Sequence, residues 1–175
     1  MALFPKKLEN LQQLFLKELC DLYDSEKQLT GALPKLIGAA HHPELKDVLQ
    51  GHLHVTKQQI SRLDRIFQVL NEKPTGEACK RMKGLLKEGE EMASASGDPS
   101  TIDAGIITAA QCVEHYQIAV YGAVRTYAEL MRTYVELLEQ QEMSSLLQET
   151  LDEKKEADAT LSNIAGSVNV RSKVA

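Results

Sequence analysis

Several carboxylates and one histidine lie on faces of predicted helices that are otherwise apolar. Glu26 lies between Leu22 and Leu29, at steps of four and three residues that continue an apolar helix face. A buried carboxylate without a partner is costly in free energy, so this residue needs a cation or hydrogen-bond donors nearby. The polar residues in equivalent positions on later helices are His52, Thr56, Gln59, Glu114, Gln117, Thr150 and Glu153, with Glu156 one turn further. If the helices place these residues at the same height along a bundle, one layer of the core is acidic and contains a histidine.

Such a layer is how helical bundles hold a pair of metal ions. A Glu comes from each of two helices, and an acidic residue and a His three apart come from each of the other two. Carboxylates neutralise and bridge the ions, while imidazoles fix their positions. Oxygen ligands with some nitrogen suit iron or manganese, and open coordination positions permit oxygen or peroxide chemistry. The candidate metal ligands are Glu26, His52, Glu114, Glu153 and Glu156.

A purely structural interpretation of the same residues stays open. Glu26 can pair with a Lys or Arg, His52 can be a hydrogen-bonded core histidine, and Glu153 can face water beside Lys154 and Lys155. Glycine-rich phosphate loops and GxSxG motifs are absent from the sequence. The residues therefore indicate either metal chemistry or a structural core, and they identify no catalytic residue.

The elements that must position these residues are predicted to be long amphipathic helices. Apolar steps of three and four predict helices over 8–40 and 43–71 and a shorter one over 77–95. A cap at Asp98, Ser100 or Thr101 begins the next long helix, whose pattern continues to about 138. A turn is expected at 139–141, and a last helix follows from about 143 to Gly166.

Four long helices with a long crossover between the second and third predict the overall fold. We expect an all-α protein, a ferritin-like antiparallel four-helix bundle whose crossover contains the fifth, shorter helix. The expected organisation is one bundle domain over 1–166 and a C-terminal tail over 167–175.

The composition and net charge limit the classes of partner that we expect for this chain. The net charge of -5 provides no basic surface for a phosphate backbone, so no nucleic-acid partner is expected. No apolar run approaches the roughly 20 residues that span a membrane, and the first residues lack the apolar stretch of a secretory signal, so we expect no membrane partner and a cytoplasmic location. Cys20, Cys79 and Cys112 match no metal-binding spacing and are expected to be reduced and buried.

The sequence resembles the YciE/YciF-like family of bacterial stress-associated ferritin-like proteins. The resemblance runs over about 14–161, through LCDLYDSEKQL at 19–29, ALPKL at 32–36, MKGLLKEG at 82–89 and ETLDEKK at 149–155. Its most specific part is AAQCVEHYQIAVYG at 109–122. The resemblance implies a ferritin-like bundle, a homodimer and a role in the stress response.

Departures from the family pattern weaken the metal site that the resemblance implies. The pattern has carboxylates where this chain has Val55 and Gln117, often a second Glu at Lys154, and frequently His at Gln59. A valine cannot bind a metal ion, and a glutamine is a weak neutral ligand. Lys154 would add repulsion if it pointed inward.

Two hypotheses follow. The first is a structural or binding protein of the stress-response type with a partly degenerate two-metal centre, which holds one weakly bound ion or none. The alternative is a di-iron or di-manganese carboxylate oxidoreductase that acts on peroxide or ferrous iron, with Glu26, Glu114 and Glu153 as ligands, His52 as nitrogen donor and Glu156 in reserve.

Overall fold

A computed structural model describes residues 8–75, 78–131 and 137–169, and in these ranges the chain is built from five helices without a strand. The helices are α1 Leu11–Ala39, α2 Pro43–Val69, α3 Lys80–Ala93, α4 Pro99–Leu130 and α5 Leu137–Asn169.

The four long helices form the predicted antiparallel bundle. α1 packs on α2 and α4, and α5 closes the ring by packing on α4 and α2. The shorter α3 lies in the crossover between α2 and α4, where it packs on α1 and α4. The predicted fold class is therefore confirmed, including the fifth helix in the crossover.

Side-chain caps explain where two of the helices begin. The side chain of Asn10 accepts a hydrogen bond from the backbone N–H of Gln13 at 2.9 Å, and Asp98 does the same for Thr101. These bonds satisfy amide groups that have no partner inside the helix. Of the three residues that the sequence offered as a cap for α4, Asp98 is the one that caps it.

The predicted turn at 139–141 is wrong, because these residues lie inside α5. The side chain of Gln140 is buried and donates to the backbone carbonyls of Ala128 and Glu129 at the end of α4. A glutamine that looked like a turn residue therefore satisfies carbonyl groups left free at a helix end.

Two further expectations differ from the structure. α5 continues past Gly166 to Asn169, and residues 170–175 of the predicted tail lie outside the described residues. Cys20 and Cys79 are buried, but Cys112 is exposed. The prediction that all three cysteines are buried was wrong for Cys112, which lies beside the apolar face of α4 and not on it.

The core consists of two apolar clusters. One contains residues such as Phe15, Leu19, Leu22, Leu63 and Phe67 together with Val120, Tyr121, Val124, Ala128, Met131, Met143, Leu147 and Leu151. The other, at the opposite end of the bundle, is formed by Leu29, Leu33, Leu45, Leu49, Met82, Ile106, Val113, Leu161 and others. Among the described residues, none of the helices combines the length and apolar character that a membrane-spanning segment needs.

Candidate functional site: the polar layer

A layer of buried polar residues separates the two apolar clusters. On each long helix, these residues lie between a residue of one cluster and a residue of the other, as with Glu26 between Leu22 and Leu29. The polar residues on the four long helices therefore lie at the same height along the bundle. We call this region the polar layer, which consists of Ser25, Glu26, His52, Thr56, Gln59, Glu114, Gln117, Thr150, Glu153 and Lys154.

The centre of the polar layer is an ion pair between α1 and α5. The ammonium nitrogen of Lys154 lies 3.3 Å from each carboxylate oxygen of Glu26, and neither side chain has exposed surface. Tyr121 on α4 donates its hydroxyl to Oε1 of Glu26 at 2.9 Å. Burial and the neighbouring carboxylate raise the pKa of Tyr121 well above its usual value, so its hydroxyl keeps its proton. Glu26 is thus held by a cation and a neutral donor.

A second buried carboxylate, Glu114 on α4, lies beside His52 on α2. Oε1 of Glu114 and Nε2 of His52 are 2.9 Å apart, although no hydrogen bond of normal geometry joins them. Burial alone would raise the pKa of Glu114, but the positive charge of Lys154 and the contact with His52 outweigh it and lower the pKa. Glu114 is therefore ionised at neutral pH, and its second oxygen has no donor among the described residues.

The outer side of the polar layer is a bidentate pair between α2 and α5. Both terminal nitrogens of Arg62 lie 2.7 Å from the carboxylate oxygens of Glu153, and Gln59 donates to the same carboxylate at 3.0 Å. Burial would raise the pKa of Glu153, but the hydrogen bonds from Arg62 and Gln59 outweigh it and lower the pKa. Arg62 also binds Glu149 at 2.6 Å.

Several acceptor oxygens in the polar layer have no described donor. The amide nitrogen of Gln117 donates to the hydroxyl of Ser25 at 3.1 Å, but Oε1 of Gln117 has no partner in the part of the chain that the structure describes. The same is true of Oε1 of Gln59. Buried acceptors of this kind require water or another donor.

Comparisons of the sequence with known proteins identify related chains. The sequence profile of DUF892, a family described as a domain of unknown function, matches residues 10–174. The curated protein YciF of Escherichia coli strain K12 is 36% identical over 159 residues, which cover 90% of this chain and 92% of YciF.

The chain belongs to the DUF892 family. The YciE/YciF-like family predicted from the sequence is thereby confirmed.

Solved structures related to the DUF892 chain share its fold. The crystal structure of the E. coli stress protein YciF aligns with a TM-score of 0.86 at 35% identity, over 94% of this chain and 100% of the YciF chain in the crystal. YcfI of Rhodopseudomonas palustris, described as a candidate structural protein, aligns with a TM-score of 0.82 at 38% identity, over 91% of this chain and 97% of YcfI. A protein of Xanthomonas campestris pv. campestris shares the fold with a TM-score of 0.69 at 20% identity, over 91% of this chain and 93% of that protein.

The candidate metal ligands of this DUF892 member are not all in one place. Glu26, His52 and Glu114 lie in the buried part of the polar layer, whereas Glu153 lies at its edge with Arg62. Glu156 is exposed. No group of three or more His, Cys, Asp or Glu side chains suited to a metal ion occurs among the described residues.

Sequence reasoning treated Lys154 as a source of repulsion if it pointed inward, and it missed the roles of Arg62 and Tyr121. The spacing could also have predicted that Lys154 points inward, because it lies seven residues after Leu147 and seven before Leu161, both of which are buried. A seven-residue step returns to nearly the same helix face. Arg62 gave no comparable signal, because arginine is common on helix surfaces. Tyr121 lies on the apolar face of α4, which indicates burial but not its hydrogen bond to Glu26.

Proposed function

We propose that this chain is a structural protein of the stress-response type with a partly degenerate two-metal centre, in which the ammonium of Lys154 replaces a metal cation. The observation that carries the proposal is the contact of Lys154 with both carboxylate oxygens of Glu26, with neither side chain exposed. The description of YciF as a stress protein and of YcfI as a candidate structural protein supports this class of function.

The charge balance of the polar layer supports the proposal. Lys154 places one positive charge close enough to Glu26 to pair with it and to lower the pKa of Glu114. A metal cation entering the same space meets this ammonium and is repelled by it. The bundle thus carries its neutralising charge on its own chain.

The small number of side chains that are free to bind a metal ion also supports the proposal. Glu26 is engaged by Lys154 and Tyr121, and Glu153 is engaged by Arg62. A two-metal centre in a bundle uses roughly four carboxylates and two histidines. Of the predicted ligands, Glu114 and His52 remain in the core without such competition, and Glu156 is exposed, which fits one weakly held ion or none.

The proposal extends to the assembly and location of the chain. We propose a homodimer in the cytoplasm, on the strength of the family resemblance, with no nucleic-acid or membrane partner. Sedimentation equilibrium at micromolar concentration tests the dimer, and a mass equal to the single chain's 19.4 kDa contradicts it.

Metal analysis tests the central claim. We expect protein purified without chelators to contain well under one iron or manganese ion per chain, as measured by inductively coupled plasma mass spectrometry. We also expect the urea midpoint of unfolding to be the same with and without EDTA, because no metal contributes to folding.

The competing function is the di-iron or di-manganese oxidoreductase that acts on peroxide or ferrous iron. The ionised Glu114 next to His52 is the one feature of the described residues that favours it. This function requires about two iron or manganese ions per chain. It also requires turnover of peroxide or ferrous iron that the substitution Glu114→Ala abolishes. Finding both overturns the proposal of a structural protein.

A further inference from the structure

A cavity of about 270 Å³ lies between α2 and α5 and is partly open to solvent. Its apolar wall includes Val48 and Val55 from α2 and Ala157 and Leu161 from α5. An apolar cavity of about 150 Å³ is already large enough to hold a benzene molecule. The cavity between α2 and α5 therefore has room for an aliphatic chain of about five carbons.

One carboxylate in the wall of this cavity has no counter-charge. Lys154, Glu153 and Glu156 all line the cavity. Lys154 pairs with Glu26 and has no exposed side-chain surface, and Glu153 pairs with Arg62. Glu156 is exposed and takes part in no salt bridge among the described residues. The uncompensated charge beside the apolar wall is therefore negative, and it attracts a cation.

A metal cation fits this wall poorly, although three of the candidate metal ligands line it. Glu153 is held by both terminal nitrogens of Arg62, and Nε2 of His52 is buried next to Glu114. Glu156 is left as a single free ligand, whereas a metal site needs several. An ammonium group is a compact charge that needs no fixed set of ligands and can keep water on its open side. The apolar wall beside the carboxylate also favours an organic cation, because it can bury an aliphatic chain.

We propose that this cavity binds a primary alkylammonium ion, a small molecule with one positive charge and a short aliphatic chain. Its ammonium group pairs with the exposed carboxylate of Glu156, and its chain packs against the valine, alanine and leucine side chains of the wall. The inference rests on the proposed function in one respect, because a metal ion held by His52, Glu153 and Glu156 would occupy the same wall.

Titration of the full chain with three five-carbon probes tests the charge of the ligand. The probes are pentylammonium, 1-pentanol and pentanoate, and the readout is the methyl NMR shifts of Val48, Val55 and Leu161. We expect saturable shifts with pentylammonium, at a dissociation constant about threefold below that of 1-pentanol, because the ion pair with Glu156 is solvent-exposed. Pentanoate is repelled by the same carboxylate and should bind about tenfold more weakly than pentylammonium. Absence of saturable shifts with pentylammonium overturns the inference, as does equal or tighter binding of either other probe.

Substitutions in the chain locate the bound ion. Glu156→Gln is expected to abolish the preference for pentylammonium over 1-pentanol, whereas Glu139→Gln, which removes an exposed carboxylate about 25 Å away along α5, leaves it unchanged. Ala157→Leu fills the cavity and is expected to weaken pentylammonium binding about tenfold, while Ala159→Leu at an exposed position leaves it unchanged. An unchanged preference in Glu156→Gln, an equal loss of preference in Glu139→Gln, or unchanged binding in Ala157→Leu overturns the inference. If Ala157→Leu does not fold, the comparison of the two glutamate variants decides.

Metal analysis of the same samples separates a failure of this inference from a failure of the proposed function. The titrations are run on the chain as purified and after treatment with EDTA, with iron and manganese measured in both samples. About two ions per chain together with unchanged pentylammonium binding overturns the proposed function alone. Pentylammonium binding that appears only after EDTA has removed a metal ion overturns both. A metal-free chain that does not bind pentylammonium overturns the inference alone.

Discussion

Two ion pairs of the polar layer use neighbouring residues of α5 in opposite ways. The inner pair, Lys154 with Glu26, has no exposed side-chain surface. The outer pair, Arg62 with Glu153, has side chains that are 14% and 25% exposed. The outer pair has the better geometry, since Arg62 binds both oxygens at 2.7 Å, while Lys154 lies 3.3 Å from each oxygen of Glu26.

From this comparison we expect burial, more than geometry, to set the free-energy cost of losing a partner. A carboxylate that loses its cation at the edge of the bundle regains water, and its ion pair adds little net stability. A carboxylate that loses its cation in the core has no such compensation. The inner pair therefore makes the fold depend on Lys154 more strongly than the outer pair makes it depend on Arg62.

The largest expected effect is that of Lys154→Met. This change leaves Glu26 buried without a cation and is expected to lower the free energy of unfolding by about 3–5 kcal/mol. Urea denaturation at neutral pH measures the loss. The matched control is Lys155→Met, whose side chain is 54% exposed and whose change is expected to stay within about 0.5 kcal/mol.

A double substitution sharpens this result. Because removal of both charges leaves no unpaired ion, Glu26→Gln with Lys154→Met is expected to recover about 1–3 kcal/mol relative to the sum of the single changes. Additive losses would show that the two residues do not act as a pair.

The next prediction concerns acid stability and Glu114. The pKa of Glu114 is lower in the folded chain than its ordinary value of 4.5, so the folded state favours the ionised form. Its contribution to stability is complete above about pH 4.5 and is lost as the pH falls through the folded pKa. At pH 7, the urea midpoint of unfolding should therefore be lower for Glu114→Gln than for the unaltered chain. The difference between the two midpoints should become smaller as the pH is lowered.

The control for this titration is Glu142→Gln on the surface. Glu142 also has a lowered pKa, because Arg65 donates hydrogen bonds to it. Its pair is solvent-exposed, so its pH dependence should fade in high salt, whereas that of Glu114 should persist. A gap between Glu114→Gln and the unaltered chain that does not change with pH contradicts the prediction.

The smallest expected effect is that of Arg62→Gln in the outer pair. Glu153 becomes hydrated when Arg62 is lost, so the free energy of unfolding should fall by about 1 kcal/mol or less and by still less in high salt. Urea denaturation at two salt concentrations measures this, with Arg65→Gln in the more exposed pair with Glu142 as the comparison. A loss as large as that of Lys154→Met would show that geometry outweighs burial after all.

Much of this protein follows from local sequence patterns. The apolar steps of three and four predict the four long helices and the crossover helix, because one face of each must be buried. The interruptions of these faces at Glu26, His52, Glu114 and Gln117 correctly predict the level of the polar layer. The break between α4 and α5 was misplaced, because the role of Gln140 depends on carbonyls more than ten residues earlier in the chain.

Only the tertiary structure decided what the polar layer contains. From the sequence, Glu153 and Lys154 are adjacent residues near the edge of one helix face, and a rotation of about 100° separates them. The packing of α5 against α2 and α4 turns Lys154 inward to Glu26 and leaves Glu153 to Arg62. The sequence by itself determined that charged residues would meet in the core, since helix periodicity is local. Which of them face each other depends on helix rotation, which is set by contacts between residues up to 128 positions apart.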